Sequence, residues 1–291
     1  MTPLIRPDTI RLAIPKGRME SEVVRLLAEA GVSISASARS YRPSISLEGF
    51  ELKVLKPRAI VEMLAAGARD CGFAGADWVA EAEVDLVEML DTALDPVRLV
   101  AAAPAALLTG GELPRRPLVV ASEYAGLAGR WIRARGLDAT LLRSWGATEV
   151  LPPEDADCIV DNTATGATLG ANHLTIIDEL MTSSTRLYAS RQAMACPFKR
   201  ERIEHLVLIV RAVLEARRRV MIEANVSAEA LDRLVEILPS MREPTISPLR
   251  SSSGFAVKAA VPRSDLARVI PLIKARGGTD IIVTTPGQIV P

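Results

Sequence analysis

Residues 157–169 read Asp157-Cys158-Ile159-Val160-Asp161-Asn162-Thr163-Ala164-Thr165-Gly166-Ala167-Thr168-Leu169. The apolar run from Cys158 to Val160 is long enough for a short buried strand, and Asp161 ends it. Small and hydroxylated residues follow, and we predict a helix from Leu169 onward. This order is typical of a strand, a phosphate-binding loop and a helix N-terminus. A plain turn has a similar composition, but the carboxylate directly before the loop favours a phosphorylated sugar.

The chemistry of the loop follows from its residue types. Gly166 permits a positive φ and a close approach by a ligand oxygen. Successive backbone N–H groups and the start of a helix favour an anion. The hydroxyl groups of Thr163, Thr165 and Thr168 add further donors, and the Asp161 carboxylate can accept hydrogen bonds from sugar hydroxyls.

Composition excludes several classes of protein. The 291 residues are 49% hydrophobic and 24% charged, with 35 basic and 35 acidic side chains, so no basic field points to nucleic acid or an anionic membrane. No apolar run reaches the roughly 20 residues that span a bilayer, and no signal-peptide core is evident. The cysteines, Cys71, Cys158 and Cys196, have no CxxC spacing, and two histidines exclude a histidine-rich metal site. We therefore expect a reduced, soluble, cytoplasmic protein.

Two cations flank a glycine near the N-terminus. Ile10 to Pro15 reads as a strand, Lys16-Gly17-Arg18 follows as a turn, and Ser21 to Ala30 has the apolar spacing of an amphipathic helix. Cations at the carboxyl end of a strand suit a phosphate, because open α/β sheets bind ligands there. A solvated turn is the alternative for these three residues taken alone.

A second strand, glycine turn and helix start is predicted over Asp70 to Asp77, with Asp77 as the helix cap. The proline-rich segment 104–117 indicates a crossover between two α/β lobes, whose ligand would lie between them. From about Arg218 the pattern becomes β-α-β-β-α-β, which is ferredoxin-like, with Ser264 capping the last helix. That domain has no titratable cluster, which favours binding, regulation or assembly. Four further short strands are predicted at 86–90, 97–103, 174–180 and 185–189.

Three of these motifs resemble one family in order and spacing. Pro15-Lys16-Gly17-Arg18, Asp70 to Asp77 and Asp161 to Leu169 look like the corresponding motifs of ATP phosphoribosyltransferase, the first enzyme of histidine biosynthesis. The resemblance runs from Ile10 to about Val283. It includes the C-terminal domain that distinguishes the long form of this family.

The resemblance implies a fold and a division into domains. The fold class is α/β, with a two-lobed catalytic part like the type II periplasmic binding proteins and a C-terminal ferredoxin-like (ACT-like) α+β domain. Lobe I would comprise residues 1–103 with 178–215, and lobe II residues 104–177 with the loop. Residues 216–291 would form the regulatory domain.

The resemblance also implies a reaction. N1 of the ATP adenine attacks C1′ of phosphoribosyl pyrophosphate (PRPP) and displaces pyrophosphate, with Mg²⁺ bound mainly through substrate rather than by protein ligands. Histidine is the implied effector, and the chain is expected to form homo-oligomers, dimers or hexamers. The implied catalytic residues are Lys16, Arg18 and Asp161. The implied PRPP-binding residues are Asp161, Thr163, Ala164, Thr165, Gly166, Ala167 and Thr168. The implied contacts to ATP or substrate are Arg58, Gly75, Asp77, Arg98 and Glu149, and the implied effector residues are Glu243 and Thr245.

This chain departs from the family pattern in four places. Leu94-Asp95-Pro96 replaces a glycine-containing segment, the link between Glu149 and Asp157 is a residue shorter, and Asn162 occupies a position that is commonly aliphatic. Glu243-Pro244-Thr245 stands where the family often has Ser-Pro-Thr. Two other functions stay open at this point: a catalytically weak regulatory paralogue, and a two-lobed protein that binds a small molecule.

Overall fold

The structure is a computed structural model that describes residues 8–35, 41–250 and 253–290. The chain divides into two compact units, the first formed by residues 1–28 with 32–205 and the second by residues 29–31 with 206–291. Among the described residues, no helix is both long and apolar enough to cross a membrane.

The first unit is built on one sheet of eight strands, in the order β4-β1-β5-β10-β6-β9-β7-β8. A separate two-stranded pair, β2 with β3, lies outside this sheet. The strands of the unit are β1 Ile10–Pro15, β2 Ile34–Ser35, β3 Ser44–Ile45, β4 Phe50–Leu55, β5 Cys71–Gly75, β6 Val87–Pro104, β7 Leu118–Ser122, β8 Ala139–Arg143, β9 Cys158–Thr163 and β10 Leu174–Ala189.

Two groups of parallel strands end at the same place in this sheet. β4, β1 and β5 form one parallel group, and β9, β7 and β8 form the other. The long strands β6 and β10 run antiparallel between them. Gly75 at the end of β5 lies opposite Thr185, and Thr163 at the end of β9 lies opposite Arg98, which itself faces Thr182. The carboxyl ends of both groups therefore converge on one short segment of β10.

The helices pack apolar faces onto this sheet. In α1, Val23, Leu26 and Leu27 are buried at helical spacing, and in α2 the buried Ile60, Val61 and Leu64 do the same. The helices of the first unit are α1 Arg18–Glu29, α2 Pro57–Ala65, α3 Ala76–Ala82, α4 Ala125–Ala134, α5 Ala167–Ala171, α6 Arg191–Ala195 and α7 Pro197–Arg218, the last of which continues into the second unit.

The prediction of four short strands in the centre was wrong, because they are parts of two long ones. The predicted segments 86–90 and 97–103 both belong to β6, except for residue 86, which precedes the strand. The predicted segments 174–180 and 185–189 both belong to β10. We predicted separate strands because polar residues lie between the apolar segments. Ser183 and Ser184 are buried in β10 because each hydroxyl donates to a carboxylate, that of Asp77 or Asp91.

Two predicted helix caps and one helix start were also wrong. Gly75 occupies the cap position of α3, and Asp77 lies inside its first turn. The cap position of the last helix is held by Asp265, one residue after the predicted Ser264. The helix after the loop begins at Ala167, two residues before the predicted Leu169.

The second unit has the predicted β-α-β-β-α-β order. Its antiparallel sheet has the order β12-β13-β11-β14, and the core beneath it includes Val220, Ile222, Leu234, Val269 and Ile273. This is the ferredoxin-like arrangement. Its elements are β11 Arg219–Val226, α8 Leu231–Val235, β12 Thr245–Pro248, β13 Phe255–Pro262, α9 Leu266–Ala275 and β14 Thr279–Thr284.

A buried carboxylate ties three elements of the first unit together. Asp70, just before β5, accepts hydrogen bonds at 2.8 Å from the Arg11 guanidinium and the Lys199 ammonium. Burial alone would raise the pKa of Asp70, but the bonds from Arg11 and Lys199 outweigh it and hold that pKa below its usual range. The ionised carboxylate therefore stabilises the fold at neutral pH.

We expect Asp70→Asn to lower the free energy of unfolding by about 3–5 kcal/mol at pH 7, because it leaves the buried Lys199 and the half-buried Arg11 without a counter-charge. Urea unfolding measures this. The difference from the wild type should narrow as the pH falls through the lowered pKa of Asp70, since protonation removes the same charge. Asp85→Asn is the control: its ion pair with Arg191 is exposed on both sides, so little change is expected. Equal losses in both variants would contradict the assignment.

Candidate active site

Two threonine side chains accept hydrogen bonds within the loop between β9 and α5. The Gly166 N–H donates to Thr163 Oγ1 at 2.9 Å, and the Ala167 N–H donates to Thr165 Oγ1 at 3.3 Å. Gly166 has a φ of +81°, a left-handed conformation that glycine adopts without strain. Because α5 has only five residues, the backbone N–H groups of the loop rather than a long helix dipole would attract an anion.

One cleft of about 320 Å³ brings together most of the predicted site. Arg18 reaches it from the start of α1 and Glu149 from the segment after β8. Within the described ranges, Arg18 has no ion-pair partner. The other residues around the cleft are Asp161, Asn162, Thr163, Ala164, Thr165, Ala167, Thr168 and Leu169. The cleft therefore combines a cation, two carboxylates and the loop.

Asp161 is the electrostatically perturbed group of this cleft. Burial, together with the negative charges of Glu149 and Glu123, raises its pKa to about 6, against the 2.7 Å hydrogen bond that the Asn162 N–H donates to its Oδ1. Glu123 directly follows β7, so three acidic residues lie at the carboxyl ends of neighbouring strands. Glu123 was not among the predicted site residues, although its position just after the apolar run Leu118 to Ala121, which reads as a strand, could have indicated it.

The other predicted site residues do not line this cleft. The Lys16 ammonium donates to the Tyr41 hydroxyl at 3.0 Å, which raises the pKa of Lys16. Arg58 is paired with Glu62 on its own helix at 2.9 Å. The backbone of Arg98 lies opposite Thr163, but its side chain is paired at 3.1 Å with Glu179.

Asp77 and Gly75 belong to a buried network beside the cleft. The Asp77 carboxylate accepts hydrogen bonds at 2.6 Å from both the Ser183 and Tyr124 hydroxyls. Gly75 leaves room for it, since a Cβ there would lie 2.1 Å from Asp77 Oδ1. The Asn162 amide in turn donates to the Tyr124 hydroxyl at 2.7 Å. The polar side chain at position 162 is thus explained by Tyr124. No sequence pattern indicated this network, because its hydrogen bonds join residues that are at least 38 positions apart in the chain.

These features define a class of protein. The cleft around Asp161 combines a loop of threonines and backbone N–H groups, two carboxylates and a cation, the donors and acceptors that a phosphorylated sugar requires. The fold and the cleft therefore define the class of two-lobed α/β proteins with a site suited to a phosphorylated sugar.

The comparisons with known proteins identify the family. The family model described as ATP phosphoribosyltransferase (HisG) matches residues 56–212, and the model of the HisG C-terminal domain matches residues 216–285. ATP phosphoribosyltransferase of Chlorobium chlorochromatii is 34% identical over 277 residues, 94% of each chain. That of Pelotomaculum thermopropionicum is 32% identical over 287 residues, 97% of this chain and 99% of the relative.

A solved structure agrees with these relatives. A chain of the ATP phosphoribosyl transferase (HisG:HisZ) complex from Thermotoga maritima superposes with a TM-score of 0.64 at 27% identity, covering 71% of this chain and 99% of that one. The chain belongs to the ATP phosphoribosyltransferase family. Its activity is the first step of histidine biosynthesis, and the predicted family, fold class and enzyme class are confirmed.

We expect Gly166→Val to weaken PRPP binding about tenfold or more, because a left-handed conformation costs an L-residue about 1–2 kcal/mol and relaxation would move the loop N–H groups. The nearest side-chain atom to a Cβ there is 3.9 Å away, so folding should persist. The KM for PRPP measures the effect. Gly170→Val is the matched control, since position 170 lies in α5 without a positive φ or a close neighbour. Equal KM values in the two variants would remove Gly166 from the site.

Proposed function

We propose that this chain joins N1 of ATP to C1′ of PRPP with release of pyrophosphate, and that PRPP binds in the cleft around Asp161. One observation carries the proposal: Asp161, Arg18 and the threonine-rich loop line the same cleft. In this assignment residues 163–168 hold the 5′-phosphate through N–H and hydroxyl groups, and Asp161 accepts hydrogen bonds from the ribose hydroxyls.

The charges that develop in the transition state indicate what the charged residues near the cleft would contribute. The transition state is oxocarbenium-like, with positive charge on the ribose and negative charge on the departing pyrophosphate. Arg18 would offset the leaving charge, and Lys16, which is exposed and donates a hydrogen bond to the Tyr41 hydroxyl, would assist it. Asp161 and Glu149 would face the positive ring. N1 of adenine carries no proton, so the reaction needs positioning of both substrates rather than a general base.

Mg²⁺ is proposed as a cofactor that arrives with its substrate. In the part of the chain that the structure describes, no group of three or more His, Cys, Asp or Glu side chains could form a protein cage for a metal. The carboxylate oxygens of Asp161 and Glu149 are nevertheless the donor type that Mg²⁺ prefers, and it commonly keeps phosphate oxygens and water as its other ligands. When bound, it would neutralise part of the pyrophosphate charge.

The remaining predicted contacts are proposed for the ATP side. Arg58, Arg98, Gly75 and Asp77 lie around the carboxyl ends of the strands but outside the cleft of Asp161. Arg58 and Arg98 would exchange their present carboxylate partners for substrate phosphates. Gly75 and Asp77 would act by shaping the buried wall behind the site rather than by touching ATP.

We expect Asp161→Asn to lower kcat about 100-fold or more, because an amide replaces the acceptor that orients the ribose. Pyrophosphate release with Mg²⁺, ATP and PRPP, each omitted in turn, is the assay. For the wild type, activity should fall as the pH drops through about 6 and Asp161 becomes protonated.

The same variant should be more stable than the wild type at pH 8. Because the folded-state pKa is raised above the ordinary value near 3.9, ionised Asp161 costs up to about 3 kcal/mol of stability above pH 6, and this cost disappears as the pH falls toward 4. Thermal unfolding at pH 8 and pH 4 tests this. Full activity in Asp161→Asn would exclude Asp161 from the reaction, and a less stable variant at pH 8 would contradict its electrostatic environment.

Histidine is proposed as the effector, bound in the second unit. A cleft there of about 480 Å³ has Glu243, Arg242, Thr245 and Lys258 on its walls. Glu243 could pair with the amino group of a free amino acid and Arg242 with its carboxylate, so this chain's Glu-Pro-Thr sequence supplies a charge that Ser-Pro-Thr lacks. Thr245 adds a hydroxyl beside them.

We expect Glu243→Gln to raise the histidine concentration needed for half-inhibition about tenfold, in the range of one lost charge-assisted hydrogen bond. Inhibition of pyrophosphate release by histidine is the measurement. Glu229→Gln, an exposed residue of the same unit, is the control. No response to histidine in the wild type would remove the effector proposal without affecting the transferase assignment.

Assembly, domain limits and location complete the proposal. The Thermotoga maritima relative is a chain of a HisG:HisZ complex, and we propose that this chain forms homo-oligomers, dimers or hexamers. The proposed lobes are residues 1–103 with 178–215 and residues 104–177, followed by the regulatory domain at 216–291. A cytoplasmic location is proposed because ATP and PRPP are its substrates.

A further inference from the structure

A second cleft lies along the edge strand β4, apart from the proposed PRPP site. Its volume is about 410 Å³, and it shares no lining residue with the cleft around Asp161. Arg42, Lys53 and Arg69 line it, together with Glu51 and the apolar side chains of Phe50 and Leu52. Neither the proposed transfer reaction nor the proposed effector site uses it.

Arg69 is the unusual group in this cleft. The residue is only 7% exposed, and its Nε and Nη1 atoms are buried without a hydrogen-bond partner in the described structure. Burial lowers the pKa of Arg69, and the positive charge of Arg11 lowers it further. A buried guanidinium without an acceptor is costly, because it has given up its water without gaining a partner.

The nearby carboxylate of Asp70 cannot serve as that partner. Its two oxygens already accept hydrogen bonds from the Arg11 side chain and from Lys199 at 2.8 Å, and the Arg11 backbone N–H also donates to it at 2.8 Å. One negative charge is thus shared by two cations. Arg69 remains as a third cation beside them, and its side chain is part of the lining of the cleft.

The charges along the cleft specify the kind of ligand. Arg42, Lys53 and Arg69 are positive and Glu51 is negative, which leaves an excess of two positive charges. Burial lowers the pKa of Lys53, and the positive charges of Arg69 and Arg42 lower it further. The three cations of the cleft therefore repel one another. The apolar walls weaken screening by water and strengthen attraction to an anion.

We propose that this cleft binds a dianionic phosphate group, with the Arg69 guanidinium as its buried anchor and Lys53 as a second charge. The planar guanidinium can donate two parallel hydrogen bonds to phosphate oxygens, which would satisfy the unpaired nitrogen atoms. The ligand is inorganic phosphate or the phosphate of a monoester, since both present the same oxygens. It is bound at a place distinct from the loop at Gly166.

Equilibrium dialysis with radiolabelled inorganic phosphate tests the proposal on the full-length protein. We expect two classes of site in the wild type. Gly166→Val should remove the class at the PRPP loop, and Arg69→Met should weaken the other class about tenfold or more, as expected for loss of a charge-assisted contact. A parallel titration with ribose 5-phosphate distinguishes the sources: competition at the Arg69 class indicates a monoester site, and lack of competition indicates free phosphate.

The controls keep the result independent of folding. Arg133→Met removes an exposed arginine of α4 and should leave both classes unchanged. If Arg69→Met does not fold, Lys53→Met, at the half-buried rim, carries the test and should still weaken the second class. The proposal is overturned if all phosphate binding disappears with Gly166→Val, or if Arg69→Met, or Lys53→Met in its place, binds phosphate as the wild type does. It is also overturned if the wild type lacks the second class of phosphate site and Arg69→Met changes self-association in sedimentation. In that case a second copy of the chain would cover the cleft.

Discussion

The antiparallel pairing of β6 with β10 is the constraint on which the catalytic unit depends. Each parallel group of strands has a carboxyl end where ligands can bind, but the first group ends at Gly75 and the second begins only at Leu118. The long pair reverses one group relative to the other: Gly75 lies opposite Thr185 of β10, and Thr163 lies opposite Arg98 of β6, which pairs with Thr182 of β10. Arg18, the carboxylates of Asp161 and Glu149, and the loop then line one cleft. Buried serines inside the strands are tolerated because their hydroxyls bond to Asp77 and Asp91.

At the proposed reaction centre, the negative charge of Asp161 lowers the stability of the folded protein. Asp161 lies in a half-buried position with Glu149 and Glu123 close enough to raise its pKa, an arrangement that the free protein does not need for folding. In the proposed reaction it would become favourable when a ribose with developing positive charge binds beside it. Perturbed titration and ligand chemistry therefore indicate the same residue.

Whether a buried charged group has hydrogen-bond partners decides if it is structural or available for binding, as the adjacent residues Asp70 and Arg69 illustrate. Asp70 is fully bonded by Arg11 and Lys199 and acts as a structural tie between elements. Arg69, adjacent to Asp70 in the chain, has unpaired nitrogen atoms and faces a cleft. Arginine is therefore structural at position 11, where it is paired with Asp70, and is the proposed binding group at position 69, since only an unsatisfied donor has a free energy to gain from a ligand.

The sequence by itself determined the local units. Apolar runs, glycines and threonines predicted β1, β5, β9 and the loop within one or two residues, and the order of the C-terminal elements, because these depend on neighbouring residues. The residue types of Asp161 and the loop predicted a site for a phosphorylated sugar, whereas the assignment of Arg18 and Glu149 to the same site came from the resemblance. Only the tertiary structure decided which segments join into β6 and β10, that Glu123 lies beside Asp161, and that Asp77, Tyr124 and Asn162 bond to one another. Those contacts connect residues far apart in the chain, and no local propensity encodes a hydrogen bond whose two partners are brought together only when the whole sheet has formed.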